Sequence, residues 1–237
     1  MALLDYSLNE IASKARLAAK GAGYDWGMAE ETASATFWSL QHQLPVLEAL
    51  ADLLEMQSLS PGPTSRIPII QQQCWSGADN GLCPLTVGAA LTDRAALFSQ
   101  EAVQLKKVLY PVLLIPFLVN VATCHTGSLH VKNQDGQITI IRGGDVRTNA
   151  AFTEAEVIEL LDCCLAQTKT GADNDANVND TRHNDRLVIV DDSTRSARAK
   201  VQSTILARLD ALAQLTYAPA TEASRLLGAG AGLNDND

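Results

Sequence analysis

The sequence lacks paired-cysteine motifs, and basic side chains are scarce. None of its five cysteines has the CxxC spacing of a structural zinc site, so we expect reduced, packed thiols and no bound metal. Eighteen Lys and Arg stand against 27 Asp and Glu, which gives a net charge of -9 at pH 7. Proteins that bind nucleic acid neutralise phosphates with clustered basic residues, so this balance argues against a nucleic-acid partner.

Neither a membrane-crossing segment nor a secretory signal is expected. The longest apolar run, 108–122, is shorter than the roughly 20 residues of a membrane-crossing helix and contains Pro111 and Pro116. The N-terminal residues have neither the basic region nor the apolar core of a secretory signal. We therefore expect no membrane partner and a cytoplasmic location.

The sequence predicts three helices near the N-terminus. Ser7 and Glu10 form a capping box that begins the first helix, and Gly21 or Gly23 suits its C-terminal cap. A second helix is predicted from about 28 to about 42, and Pro45 fits the first turn of a third.

The remainder mixes strands and helices. A linker at 58–66 and a loop at 71–83, anchored by Trp75, separate the predicted elements. We predict strands at 67–70, 106–110 and 187–190, and a hairpin of 129–132 and 137–142 around Asp135-Gly136. Helices are predicted at 85–98, from a Thr153/Glu156 capping box to about Gly171, and from about Ser196 to just before Pro219. The apolar run 112–122 fits a buried helix or a strand, and a helix after Pro116 is the favoured alternative.

These elements predict an α+β fold, mostly helical, with a small antiparallel or mixed sheet that includes one β-hairpin. At 237 residues the chain is long enough to bury a full core. We expect a three-helix segment, 1–57, packed on an α+β body, 67–237, in a single compact domain. The Asn- and Asp-rich stretch 171–185 is predicted to be a mobile loop because it offers little apolar surface to bury.

Glycines, aromatics and carboxylates are densest in 21–31, between the first two helices. Asp25, Glu30 and Glu31 lie near the start of the second helix, where the helix dipole favours carboxylates, so capping is one interpretation. The alternative is catalytic. Glu30 falls within about 20° of Phe37 on the helix and so borders the apolar stripe. There its pKa would rise, as a general base requires.

The same argument applies to Glu31, which precedes Trp38 by seven residues. Glu30 is the stronger catalytic candidate of the two glutamates. Trp26 is predicted to form a wall of the same pocket.

The glycine-rich segment 228–232 does not fit a dinucleotide motif, because a helix precedes it and the given sequence stops soon after. Two alternatives stay open: a frayed end, or a flexible segment that folds Asp235 and Asp237 over a site to bind a cation or cationic substrate. Beside Ser224, Arg225 is a candidate for holding a substrate carboxylate.

Cys124 and His125 are poor candidates for a catalytic pair, because adjacent side chains point to different faces of a strand or helix. The other histidines have no metal-ligand spacing.

Two segments, 23–31 and the C-terminal 216–225 with 228–237, resemble signatures of a bacterial family of unknown function, DUF3726. The segment 110–118 is similar to the central apolar block of that family. The resemblance implies no reaction, because no activity is settled for the family, and the stretch 171–185 does not resemble the shared pattern.

The sequence supports two hypotheses of function and leaves cofactors unassigned. The first is a hydrolase or lyase acting on a small polar or anionic metabolite, with Glu30 as general acid/base, Trp26 shaping the pocket and Arg225 holding an anionic group. The second is a non-catalytic accessory or ligand-binding protein that docks a partner subunit. A homodimer with Ala-rich helices at its interface is a third possibility.

Overall fold

A computed structural model describes residues 3–59, 67–77, 81–99, 102–135, 138–142, 144–166, 187–191 and 195–217, and the structural statements below concern these residues. The predicted α+β class is confirmed.

Helices and strands alternate in blocks along the chain. The helices are α1 (Leu8–Gly21), α2 (Trp26–Gln41), α3 (Val46–Ser58), α4 (Pro84–Asp93), α5 (Ile115–Thr123), α6 (Ala150–Glu154) and α7 (Ser203–Gln214). The strands are β1 (Leu3–Ser7), β2 (Ile69–Gln71), β3 (Cys74–Ser76), β4 (Val103–Leu109), β5 (Ser128–Asn133), β6 (Ile138–Arg142), β7 (Asp145–Asn149), β8 (Val157–Ala166), β9 (Leu187–Val190) and β10 (Arg198–Gln202). Two short 3-10 helices, Ala95–Ser99 and Pro111–Leu114, connect elements of the body.

Eight of the described strands form one mixed sheet, in the order β2-β3-β4-β8-β5-β6-β7-β9. Adjacent strands of this sheet are antiparallel except for β3 and β4, which run parallel. The predicted hairpin is confirmed as β5 and β6. Trp75 on β3 is fully buried, in agreement with its predicted anchoring role.

A helical layer of α1, α2, α3 and α7 carries the second sheet, a two-stranded ribbon of β1 and β10. The α1 alanines Ala15, Ala18 and Ala19 are fully buried, so small side chains bring α1 close to its neighbours inside the chain. The ribbon and α7 return the C-terminal part of the described chain to the N-terminal helices.

The turn between α1 and α2 is fixed by side chains of the glycine-rich stretch. Gly23 has a φ of +93°, which a residue with a Cβ adopts at a cost. Tyr24 is buried, and its hydroxyl lies 3.2 Å from the Cys83 Sγ at the start of α4. Asp25 caps α2 by accepting a hydrogen bond from the Met28 N-H at 2.7 Å. The capping interpretation is therefore confirmed for Asp25.

The segment 157–164 is a strand rather than the predicted helix, and the sheet is consequently larger than predicted. β8 lies between β4 and β5, and burial of Leu161 and Cys163 follows the two-residue period of a strand. A nearly continuous apolar run fits the helical period of 3.6 residues as well as the strand period of two. Pairing with distant strands therefore decides that this segment is a strand. Thr153 does not cap a helix there; Asn149 caps the short α6 instead.

Other differences are local. Val201 belongs to β10 and not to a helix, because α7 begins only at Ser203. The predicted loop 71–83 contains β3, and α2 begins at Trp26 rather than 28.

The division into 1–57 and 67–237 stays a prediction, while the segment 171–185 lies outside the described residues. No helix among the described residues combines the length and apolar character needed to cross a membrane.

We predict that Gly21→Ala destabilises the fold. A Cβ at Gly21 would overlap the backbone carbonyl of Leu212 on α7, so the two helices must separate. Such overpacking typically costs about 1–3 kcal/mol. Urea unfolding followed by circular dichroism measures the change. The matched control is Gly144→Ala, because a Cβ at Gly144 meets no heavy atom within 4 Å. Equal stability of the two variants would contradict the close approach.

Candidate functional site

A groove runs along α2, where three cavities adjoin, and we call it the α2 groove. The helix cavity, about 570 Å³, lies among α1, α2 and α5. The middle cavity, about 390 Å³, lies between the start of α1 and the turn before β10. The edge cavity, about 560 Å³, lies between β10 and the α2–α3 turn. Asn9, Phe37 and Gln41 line both the helix and middle cavities, and Ser196 lines both the middle and edge cavities.

The floor and one wall of the edge cavity are apolar. Its buried lining residues are Leu40, Leu44, Val46, Leu47 and Val201. The α2–α3 turn that supplies most of them is fixed by its backbone: the Leu44 N-H donates to the Ser39 carbonyl at 2.9 Å, and Gln43 has a φ of +59°. His42 reinforces the end of α2 through its Nδ1, 2.8 Å from the Trp38 carbonyl oxygen.

The opposite wall is a strand edge that no described strand pairs with. The Leu8 N-H donates to the Ala197 carbonyl, on the side of β10 that pairs with β1, whereas the Ser196 N-H donates to the Gln41 carbonyl on α2 at 2.7 Å. In an antiparallel pair, backbone groups of alternate residues point to opposite edges. The N-H and C=O groups of Arg198, Lys200 and Gln202 therefore face away from β1, and we call this the outer edge of β10.

The outer edge is partly occupied at its start. The Ser196 hydroxyl donates to the Arg198 carbonyl at 2.7 Å and accepts from the Arg198 N-H at 3.3 Å. No described residue pairs with the Lys200 backbone along this edge. The edge cavity thus has an apolar floor and exposed main-chain donors and acceptors.

Two cations border the edge cavity on one face of β10. The Arg198 Nε donates to the Asp5 carboxylate at 2.8 Å. Lys200 is exposed and has no ion-pair partner within the described part of the chain. Glu48 lines the other side of the cavity. A ligand over β10 would meet positive charge at Lys200.

An ion cluster joins two of the elements that surround the edge cavity. Arg208 on α7 donates to both carboxylate oxygens of Glu55, at 2.8 and 2.6 Å, and to Asp52 at 2.5 Å. These hydrogen bonds hold the pKa of Glu55 below its usual value and raise that of Arg208. The cluster fixes α7, which carries Ile205 of the cavity wall, against α3.

Glu30 does not have the predicted environment. Its side chain is 60% exposed and accepts a hydrogen bond from Arg16 at 2.7 Å. The buried face of α2 is formed by Thr32, Thr36 and Ser39 together with small apolar residues, so the expected apolar stripe through Phe37 is not the core face. The prediction that Glu30 is partly desolvated is wrong, and its catalytic role stays a prediction.

Glu31 and Trp26 lie in different places. Glu31 is exposed and lines the helix cavity with Asn9 and Asn120. Trp26 is 51% exposed at the start of α2 and lines none of the three cavities. The Arg16 Cζ and the Lys20 Nζ on α1 lie 5.9 and 5.4 Å from the centroid of the Trp26 ring.

The predicted C-terminal site residues lie outside the described residues: Ser224, Arg225, Asp235 and Asp237. Cys124 and His125 have separate partners, the Asn120 carbonyl for the Cys124 thiol and the Ala95 carbonyl for the His125 Nε2. In the described part of the chain, no three His, Cys, Asp or Glu side chains gather as metal ligands.

Sequence reasoning missed the outer edge of β10 because it placed Val201 in a helix. A signal was present: Arg198, Lys200 and Gln202 alternate with Ala199 and Val201, which is the two-residue period of a half-buried strand.

The helices α1, α2 and α3 of the groove lie within a segment that matches a known protein family. Residues 6–79 match the model of a family described as "Protein of unknown function (DUF3726)". The predicted resemblance is confirmed over this range. The match contains the α1–α2 turn and the α2–α3 turn, whereas the segments 110–118 and 216–237 lie outside it.

Other comparisons add little. No curated protein matches the chain. Among solved structures, the crystal structure of malate dehydrogenase from Entamoeba histolytica aligns with 72% of this chain and 51% of that chain, at 10% identity and a TM-score of 0.40. The chain spans about half the length of that enzyme, and a likeness at this level establishes neither fold nor activity.

We predict that Glu55→Gln reduces the loss of stability in acid. A carboxylate whose pKa is lower in the folded chain stabilises it above the unfolded pKa, near 4.5, and this stabilisation disappears as the pH falls through the folded pKa. Between about pH 6 and pH 3 the wild type should therefore lose more stability than the variant.

Urea unfolding across this pH range measures the difference. Glu48→Gln is the control, because Glu48 lies on the same helix and has no ion-pair partner within the described residues. If the free energy of unfolding changes equally with pH in the wild type, Glu55→Gln and Glu48→Gln, the Arg208 cluster does not hold α7 as described.

Proposed function

We propose that this protein is an accessory binding protein that holds a segment of a partner protein in the α2 groove. One observation carries the proposal: an apolar cavity is bounded on one side by the outer edge of β10. Exposed strand edges are templates for pairing with another chain. An apolar floor beside such an edge offers both hydrophobic burial and main-chain hydrogen bonds to the same ligand.

The proposed location of the protein is the bacterial cytoplasm. The five cysteines are all free thiols, and reduced cysteines persist in that compartment. The middle cavity has polar lining residues that include Asn9, Gln41, Arg195 and Ser196. Their side chains can form hydrogen bonds to a peptide backbone.

The test is photo-crosslinking in the native host. A photoreactive residue at Gln202, which lines the edge cavity, should form a discrete adduct with one partner protein. The same residue at Lys106, exposed on β4 outside the groove, is the matched control. Adding Ile205→Glu, which places a carboxylate in the cavity wall, should abolish the adduct. The proposal fails if Gln202 gives no adduct, or if both positions give the same products.

A second function, a hydrolase or lyase acting on a small polar or anionic metabolite, is favoured by the position of Glu31. Glu31 lines the helix cavity together with Asn9, Gln41 and Asn120. A carboxylate that faces a cavity is placed for acid/base chemistry on a bound metabolite, whereas Glu30 is directed to Arg16.

For this second function we predict that Glu31→Gln lowers kcat at least about 100-fold, the usual contribution of a general acid or base, while Glu30→Gln has little effect. The measurement is hydrolysis or elimination by the purified chain across a panel of small anionic metabolites. Unchanged turnover by Glu31→Gln, or equal losses in both variants, would contradict the assignment.

A further inference from the structure

We infer that the partner segment binds as an extended strand that adds to the outer edge of β10, with apolar and acidic residues in alternation. This inference rests on the proposed function and specifies the chemistry of the partner. The edge cavity, rather than the other two cavities, is the site.

The hydrogen-bonding part of the site is built into β10. Ser196 already satisfies the Arg198 backbone, and its own N-H donates to the Gln41 carbonyl. Gln202 is the N-cap of α7, so its carbonyl accepts the first hydrogen bond of that helix. The free groups of the edge are therefore the N-H and C=O of Lys200 and the N-H of Gln202. An extended peptide beside it would accept from the Lys200 N-H and donate to the Lys200 carbonyl, as in strand-addition complexes. β10 covers about 17 Å at 3.4 Å per residue, which limits the paired segment to a few residues.

The two faces of β10 determine which side chains the added strand carries. Val201 is buried and Ala199 half-buried, and both line the cavity with Leu44 and Ile205. Side chains of an added strand on this face would enter the apolar cavity. Because side chains alternate between faces, every second residue of the bound segment is apolar.

The other face of β10 carries one cation more than the carboxylate beside it. Arg198 and Lys200 lie next to Asp5 of β1, which is opposite Lys200 in the strand register and is bonded to Arg198. Lys200 has no ion-pair partner among the described residues. A residue opposite Lys200 on an added strand lies about 5 Å away from it, and opposite charges at that spacing are stabilising. Charge complementarity therefore favours Asp or Glu at the intervening position.

The ribbon has an open edge for a third strand. Among the described residues β1 and β10 form a two-stranded sheet, and a strand at the edge of a sheet can pair with another chain. A second copy of this chain is a poor occupant of the edge, because β10 brings Arg198 and Lys200 and would set like charges opposite each other.

The test uses the full chain and a displayed library of random heptapeptides as the probe. Selected peptides should share a two-residue alternation of apolar and acidic residues. Methylating single backbone amides of a selected peptide should then weaken binding about tenfold at every second position and less than about twofold at the others, because only alternate amides face β10.

Variants of the chain test the same contact from the other side. Lys200→Pro removes the outward N-H while keeping the hydrogen bonds between β10 and β1, and should abolish binding. Lys200→Gln keeps the N-H and removes the charge, and should weaken binding severalfold. Isothermal titration calorimetry measures both, and circular dichroism checks that each variant is folded. If Lys200→Pro does not fold, the methylation series decides.

Three outcomes overturn the inference: no peptide is selected, methylation has no alternating effect, or folded Lys200→Pro binds normally. These failures are distinguishable from failure of the proposed function. If Gln202 still crosslinks to a partner while methylation has no effect, groove binding stands and strand addition is wrong. If Gln202 gives no adduct, the proposed function itself fails.

Discussion

The close approach of α1 to α7 is the constraint on which the groove depends. Gly21 lies against the backbone of Leu212, with no room for a Cβ. This contact places the N-terminal end of α7, and the strand before it, beside the start of α1 and the α2–α3 turn. The Lys14–Asp210 ion pair and the Arg208 cluster hold the same arrangement. These pairs are partly exposed, so they set geometry more than they add stability.

Two capping boxes show how far local sequence determines the fold. Ser7 and Glu10 begin α1 as predicted, with both reciprocal hydrogen bonds in place, and the apolar spacing that follows fits only a helix. Thr153 and Glu156 have the same spacing, yet 157–166 is a central strand. There the apolar residues fit both periods, and the partners β4 and β5 come from distant parts of the sequence. Local signals therefore decide only where the hydrophobic period is unambiguous.

The candidate site was predictable in part. Asp25 follows from capping rules alone, and Glu31 faces a cavity. The environment of Glu30 was predicted wrongly because the geometry of one helix gives the angle between side chains but not which angle faces the core. On α2 that face carries threonines, whose hydroxyls donate back along the helix: Thr32 to the Met28 carbonyl and Thr36 to the Thr32 carbonyl, each at 2.7 Å. With their hydrogen bonds satisfied, small polar residues can be buried in place of the larger apolar ones.

The same substitution of small polar for large apolar residues explains why α2 borders a groove. Because its buried face is small, α2 packs closely on α1 while Phe37 and Trp38 stay half-buried at the surface. They line a cavity instead of filling the core. At the other end of the groove, the Gln41 carbonyl accepts from the Ser196 N-H and anchors the start of β10 at the end of α2. The edge cavity lies between β10 and the α2–α3 turn. One helix thus provides an apolar wall and also positions the strand edge opposite it, and a binding site arranged before the ligand arrives loses less entropy on binding.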